Sequence, residues 1–289
     1  MFGRLGFICI LLGVVTGLVN GQRGTEPIVD RWAYQLQAVD LEEVAASEYD
    51  LIVMDYSADG TAEEAYTGED LAILHAANKL AIAYMSIGEA EDYRFYWDAA
   101  WDDTPPEWLD AENPDWEGNY KVRYWMDPWQ NIILEQYLDA IIAAGFDGVY
   151  LDIIDAYEYY EEAGRESAGQ EMVDFVGSIA AFAHERNPDF LIFPQNGAQL
   201  VLDYEEYLDY VDGIGQEDIY YGNPDDNSES PDEWVVETEA ALDVFVHQGK
   251  WVVVVAYTDN PDQIANHEAR ARGRGYIPFA TSRDLDRLP

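Results

Sequence analysis

The sequence predicts a single-domain (β/α)8 barrel of the α/β class, on three observations. Apolar, β-rich runs alternate with amphipathic runs along most of the 289 residues. Several of these runs are apolar on both faces, as strands of a buried parallel sheet must be. About eight strand–helix units fit the chain length, which suits a barrel. A doubly wound open sheet is the competing arrangement, but the chain carries no Gly-rich nucleotide loop to support it.

Nine runs are strand candidates: WAYQLQ (32–37), LIVMDYS (51–57), LAIAYMSIG (80–88), VRYWM (122–126), GVYLDI (148–153), FLIFPQN (190–196), VDGIGQ (211–216), WVVVVAYT (251–258) and YIPFAT (276–281). Nine candidates for eight places mean that one is not a barrel strand. Asp127 is placed to cap a helix with Pro128 at its first position. Ile133, Leu134, Tyr137, Leu138, Ile141 and Ile142 then recur at helical spacing, and Gly145 is placed to end the helix. A second helix spans about Ser167 to Arg186 and stops before Asn187-Pro188. Others occupy about 232–247 and 262–272. Between strands lie two polar or aromatic excursions. One is rich in Trp, Pro and Asp, from Asp92 to Tyr120; the other is YYGNPDDNSESPDEW at 220–234.

Composition narrows the partners. Apolar residues make up 48% of the chain, enough for a sizeable core. Fifty-eight acidic against 15 basic residues give a net charge of −43. Phosphate backbones and anionic membrane surfaces would be repelled, so nucleic acid is excluded as a partner. Lysine is confined to Lys79, Lys121 and Lys250. An acidic, lysine-poor surface suits high salt, where a Debye length of roughly 3 Å at 1 M screens self-repulsion. It also suits an acidic cleft for a cationic substrate, and the two readings are compatible.

Arg4 followed by an apolar run from Leu5 to Val19 reads as a secretory signal peptide over residues 1–21, cut after Gly21. A retained membrane anchor is the alternative, with a run a little short for a span of about 20 residues. The mature domain is taken as 30–289, secreted and expected to act as a monomer. Cys9, the one cysteine, lies in the leader. The mature chain therefore has no disulfide and no cysteine nucleophile or ligand. His75, His184, His247 and His267 show no metal-like spacing. No nucleophile elbow for a Ser–His–Asp hydrolase is present. The expected chemistry calls for no metal or organic cofactor.

In a barrel of this class the site gathers where strands end. The candidate strands end in Asp55, in Ser86 and Glu89, in Trp125, in Asp152 and Asp155, in Gln195 and Asn196, in Gln216, Glu217 and Asp218, and in Tyr257. Carboxylates and amides bond sugar hydroxyls, and aromatic rings cover the apolar faces of pyranoses. Glycoside hydrolysis needs two carboxyls flanking the scissile bond, and Asp152 and Glu217 are the best pair. Each follows an apolar strand and precedes aromatics. Burial and the nearby charge of Asp152 should keep Glu217 protonated for a role as acid. Spacing leaves retaining and inverting outcomes open. A helix cap or structural ion pair is the plainer reading of either carboxylate.

The motifs WAYQLQ, IAYMSIGEAEDYRFYW, VRYWMDPWQ, GFDGVYLDIIDAY, PQNG and GIGQEDIYY occur in this order. Together they resemble glycoside hydrolase family 114, the endo-α-1,4-polygalactosaminidase family, over about residues 30–284. The resemblance implies a secreted (β/α)8 glycosidase acting on α-1,4-linked galactosamine polymers. It implies Asp152 as nucleophile and Glu217 as acid/base. Gln35, Asp55, Tyr84, Glu89, Arg94, Trp125, Asp155, Asn196, Asp218 and Tyr257 are the candidates for holding the sugar. The expected partner is a polysaccharide, an amino-sugar polymer. A non-catalytic polysaccharide-binding barrel, or the same chemistry on another α-linked glycan, are the alternative readings.

Overall fold

The computed structural model describes residues 28–289. The expected signal peptide at 1–21 lies outside the described residues. The strands, in chain order, are β1 Trp32–Tyr34, β2 Leu51–Met54, β3 Leu80–Ser86, β4 Glu89–Glu91, β5 Leu109–Glu112, β6 Asn119–Val122, β7 Gly148–Asp152, β8 Leu191–Pro194, β9 Gly213–Glu217, β10 Trp251–Tyr257 and β11 Ile277–Thr281. Eight of them are parallel and lie side by side in chain order, β1-β2-β3-β7-β8 and then β9-β10-β11. The ladder narrows at two seams. Between β8 and β9 it shrinks to a single parallel bridge, Gln195 to Gly215. Between β11 and β1 side chains close the gap, with the rings of Trp32 and Phe279 5.7 Å apart. Just above, the amides of Leu36 and Gln37 both donate to the Leu285 carbonyl.

The superfluous candidate is VRYWM. Only Val122 belongs to a strand, at the end of β6, and Arg123–Met126 turn into the next helix. The alternation that mimics a strand has another cause. Val122 and Tyr124 are buried, and the Tyr124 hydroxyl donates to the Ala168 carbonyl at 2.8 Å. Asp127 is likewise the first residue of α3 rather than its cap. Met126 occupies the cap position and makes no side-chain cap bond. The Asp127 carboxylate in the first turn still favours the helix dipole.

The helices are α1 Leu41–Ala46, α2 Gly68–Ala76, α3 Asp127–Ile132, α4 Asp139–Ala144, α5 Ala156–Glu162, α6 Ala168–Arg186, α7 Leu200–Asp203, α8 Tyr207–Tyr210, α9 Asp232–His247 and α10 Pro261–Arg274. A π-helical stretch, Ile133–Leu138, joins α3 to α4. Gly145 ends that run in the left-handed conformation, φ 97°, as the sequence predicts. Ser167 is the cap residue of α6, and Thr67 with Asp70 forms a capping box on α2.

The insertion after β3 is a small antiparallel sheet of order β4-β6-β5, and it starts at Glu89 rather than Asp92. Trp97, Trp101 and Trp108 serve packing, whereas Trp116 is exposed. Trp101 meets Trp108 edge-on at 5.0 Å, and Trp108 reaches Trp129 of α3 at 5.0 Å. A buried ion cluster ties the sheet down: Arg94 bonds Asp55, just past the end of β2, and Glu91 of β4.

Side chains alternate faces along a strand, so residues two apart share a face. On β7 that puts Tyr150 and Asp152 together; on β9 it puts Gly215 and Glu217 together. Tyr150 packs against Tyr34 at 5.4 Å, and Tyr34 stacks on Trp32 at 6.1 Å. These rings fill the barrel interior. A Cβ on Gly215 would collide with the Tyr150 hydroxyl, so the glycine exists to admit that ring. Replacement Gly215→Ala overpacks this layer. It is expected to destabilise the protein by about 1–3 kcal/mol in urea denaturation. A loss below about 0.5 kcal/mol would show that the interior yields instead.

Candidate active site

The filled interior leaves Asp152 and Glu217 at the C-terminal mouth of the barrel, each two residues beyond an interior position. Strand β8 lies between their strands. Each carboxylate is held by a tyrosine from a neighbouring inward position. The Tyr84 hydroxyl of β3 donates to Asp152 Oδ2 at 2.6 Å. The other Asp152 oxygen accepts from the Ile153 amide at 2.8 Å. On the far side, Tyr257 of β10 donates its hydroxyl to Glu217 Oε1. Asn196 Nδ2 donates to Glu217 Oε2 at 3.2 Å. Asn196 is itself oriented, because its Oδ1 accepts from the Glu217 amide at 3.1 Å and from Gln216 Nε2 at 3.0 Å. Both carboxylates thus have fixed planes.

The backbone leaves the sheet in the same unusual way at three strand ends. Ile153, Asn196 and Asp218 have φ of 59°, 61° and 55°. Asn and Asp tolerate this left-handed region, whereas a β-branched isoleucine is strained there. Ile153 is held by close packing. A Cβ on Gly88 would strike the Ile153 carbonyl, and one on Gly197 would strike the Ile154 side chain. The turn that aims Asp152 is therefore wedged between two glycines.

The expected sugar-binding residues fall into two groups. Tyr84, Asp155, Asn196, Asp218 and Tyr257 gather around the pair. Asp155, Asn196, Glu217 and Asp218 line a cavity of about 520 Å³, together with Trp234 and Arg283. The second group is engaged elsewhere. Asp55 and Arg94 are bound to each other in the buried cluster under the insertion, with Arg94 Nη1 on Asp55 Oδ1 at 2.8 Å. Gln35 is buried, and its Nε2 donates to the Gln37 and Ala38 carbonyls. Trp125 is covered by the Arg165 guanidinium at 3.8 Å and meets Tyr160 edge-on. Glu89 accepts from Asn113 at 2.8 Å, and its second oxygen is buried without a partner. Tyr157 and Tyr160 are buried, whereas Tyr159 is exposed.

The structure adds four participants: Tyr34 and Tyr150 as the floor, Ile153 as the turn, and Arg283. The first two follow from period two once Trp32 and Asp152 are known to face inward. Arg283 follows from extending the strand-end survey to β11. Ile153 has no sequence signal. Among the described residues no group of three or more His, Cys, Asp or Glu side chains is arranged to hold a metal ion.

Titration follows enclosure. Burial first, and the facing Glu217 second, raise Asp152 to about 8, while the bonds from Tyr84 and Ile153 oppose the rise. The rise at Asp152 is one that the sequence reading does not anticipate. Burial also lifts Asp155 to about 6, helped by Glu158 and Glu217. Asp218 rises to about 6 through burial, with Arg283 pulling it down. Asp152 is raised relative to an unfolded value near 3.9, so its contribution to stability is full below about pH 4 and is lost as pH rises through about 8. Asp152→Asn removes this loss. The variant's stability advantage over the parent should grow by a few kcal/mol between pH 4 and 8. Parallel thermal melts would read it, and an advantage independent of pH would refute the raised carboxyl.

Comparison with known proteins gives the family and the fold. The model of glycoside hydrolase family GH114 matches residues 18–288. An uncharacterized protein of Methanocaldococcus jannaschii is 41% identical over 286 residues, 94% of this chain and 81% of that protein. A Deinococcus radiodurans protein is 40% identical over 266 residues, 90% of this chain and 82% of its own. Among solved structures, the glycoside hydrolase domain of PelA from Pseudomonas aeruginosa superposes with a TM-score of 0.69 at 19% identity, covering 90% of this chain and 97% of that one. Aspergillus fumigatus Ega3, solved in complex with galactosamine, gives 0.68 at 18% identity, with 90% and 94% covered. The chain, a (β/α)8-type glycosidase, belongs to glycoside hydrolase family 114.

Proposed function

We propose that this glycosidase is secreted and cleaves α-1,4-linked galactosamine polymers internally, by a two-carboxylate retaining mechanism. The observation that carries this reading is the pair Asp152 and Glu217, at the mouth of the barrel with one strand between their own. Asp152 attacks the anomeric carbon, and Glu217 protonates the leaving oxygen and then activates water. Tyr84 and the Ile153 amide favour the ionised form of Asp152 and aim one of its oxygens. Tyr257 and Asn196 hold Glu217 in one plane. The signal peptide at 1–21 and the domain at 30–289 belong to the same proposal. Among the described residues no helix is long and apolar enough to cross a membrane.

A cationic sugar supplies what the protein alone lacks. Asp152 keeps its proton up to about pH 8 because it is enclosed beside another carboxyl. An ammonium group bound at Asp155 and Asp218 offsets negative charge around the pair and favours loss of the Asp152 proton. Galactosamine without its acetyl group carries such a charge near neutral pH. Binding and activation of the nucleophile are then coupled.

Incubation with de-N-acetylated α-1,4-galactosamine oligomers, read by mass spectrometry, tests the substrate. The parent should cleave. Asp152→Asn and Glu217→Gln should each lose about 1,000-fold or more in kcat while folding normally. Equal turnover by either variant would remove that residue from the chemistry. NMR of the first product should show the α configuration retained; a β product would replace the nucleophile role of Asp152 with that of a base. The Asp155 and Asp218 carboxyls ionise near pH 6. KM for the cationic polymer should therefore fall as pH rises from 5 to 7. An unchanged KM over that interval would exclude them as ammonium ligands.

A further inference from the structure

We propose that Arg283 is a positioning residue of this active site: it fixes Glu217 through the ring of Tyr257 and holds the Asp218–Asp226 loop as a wall of the cavity. The inference rests on the glycosidase reading for its kinetic consequence, but its structural content does not.

Arg283 lies two residues past β11. It is a cation on a cavity whose other charged lining residues are carboxylates. Its guanidinium carbon sits 4.0 Å from the centre of the Tyr257 ring. That ring's hydroxyl is the group that donates to Glu217. The same guanidinium is bonded along its edge. Nη2 donates to Asp218 Oδ2 at 3.1 Å and Oδ1 at 3.3 Å, and to the Gly222 carbonyl at 3.2 Å. Nε donates to Asp226 Oδ1 at 2.7 Å. A planar, multiply donating cation can stack and bond at once; a lysine ammonium cannot.

The neighbouring backbone is shaped for this arrangement. Gly222 has φ 118°, and a Cβ there would collide with Asp218 Oδ1. The glycine lets its carbonyl and the Asp218 carboxylate face the same guanidinium. Asp218 is also left-handed, φ 55°, which turns its side chain from the strand toward Arg283. The loop is closed from its other side as well. The Asn227 amide donates to the Tyr257 carbonyl at 3.0 Å. Ser230 Oγ and Trp234 Nε1 both donate to the Asp218 carbonyl. Tyr257 is therefore held at its face by Arg283, at its carbonyl by the loop and at its hydroxyl by Glu217.

Two effects follow from one side chain. Stacking restricts the Tyr257 ring and hence the Glu217 carboxylate. The positive charge also neutralises Asp218, which would otherwise repel Glu217 as its sequence neighbour. Loss of the plane releases the ring, and loss of the charge adds an uncompensated carboxylate beside the acid/base. A misplacement of about 1 Å at a catalytic group costs on the order of 100-fold in rate.

The test uses Arg283→Lys and Arg283→Gln in the full chain, checked for parent-like circular dichroism. Crystal structures of both, solved without substrate, report whether the Tyr257 hydroxyl still meets Glu217. We expect it to have moved away in both variants. Kinetics on the galactosamine polymer should show kcat lowered about 10- to 100-fold with KM changed less than about threefold. Tyr257 unmoved in both variants overturns the proposal, as does a loss lying entirely in KM. A lysine variant with kcat within about twofold of the parent would leave charge as the sole contribution and overturn the stacking role. Should the glutamine variant not fold, the lysine variant carries the test. A parent that cleaves no galactosamine polymer refutes the proposed substrate, while the Tyr257–Glu217 contact still decides the role of Arg283.

Discussion

Two carboxyls enclosed at the same barrel mouth repel each other, and most of what surrounds them manages that repulsion. Like charges in an enclosed site oppose each other's ionisation. Here the enclosure is set from below. Trp32, Tyr34 and Tyr150 fill the interior with ring surface, and Gly215 gives up its side chain to let them in. The next inward positions along β7 and β9 are Asp152 and Glu217. They cannot sink into the core, and they cannot turn away without reversing the strand. The tyrosine bonds, the amide bond from Ile153 and the Asn196 contact each stabilise a carboxylate plane where the floor has left it.

The same constraint accounts for the strained exits. A strand that continued straight past Asp152 would carry the chain away from the mouth. The left-handed Ile153 turns it at once into α5, which brings Asp155 back to the cavity. Asn196 and Asp218 make the corresponding turns on the next two strands. A strained residue persists only where its surroundings over-determine it. Gly88 and Gly197 supply that fixation through close backbone approach. Rigidity at Asp152 is thus distributed over three strands rather than held by one bond.

Much of this was readable from the sequence, and the unread parts share a cause. The barrel strands stood out because several of them are apolar on both faces. Asp152 and Glu217 stood out because a carboxylate ends an otherwise apolar run. VRYWM misled because the burial of Val122 and Tyr124 at the turn from β6 into α3 produces the same alternation as burial in a sheet. Asp55 and Arg94 lie beside the strand ends, yet they are spent on anchoring the insertion, and no local pattern distinguishes an anchor from a ligand. Trp125 is similar: its partner Arg165 lies 40 residues away in sequence. The rise at Asp152 was not legible, because its enclosure depends on the rings of four different strands. Strand periodicity is local and legible, whereas the partner of a polar side chain is tertiary.

The charge of the chain is best understood at two ranges. At a distance, −43 attracts any cation, but in high salt that field decays within a few ångströms. A salt-adapted surface therefore gives little steering toward a cationic polymer. In direct contact at Asp155 and Asp218, the proposed ammonium would lose less to screening than it would at a distance. Excess acid in that cavity has a cost, because each added carboxylate makes Asp152 harder to ionise. One arginine placed on Asp218 and Asp226 relieves part of it while leaving Asp155 free of a basic partner within the cavity. On the proposed reading, recognition of an amine and ionisation of the nucleophile would pull in opposite directions on the number of carboxylates, and a fixed internal cation beside a captured external one would satisfy both.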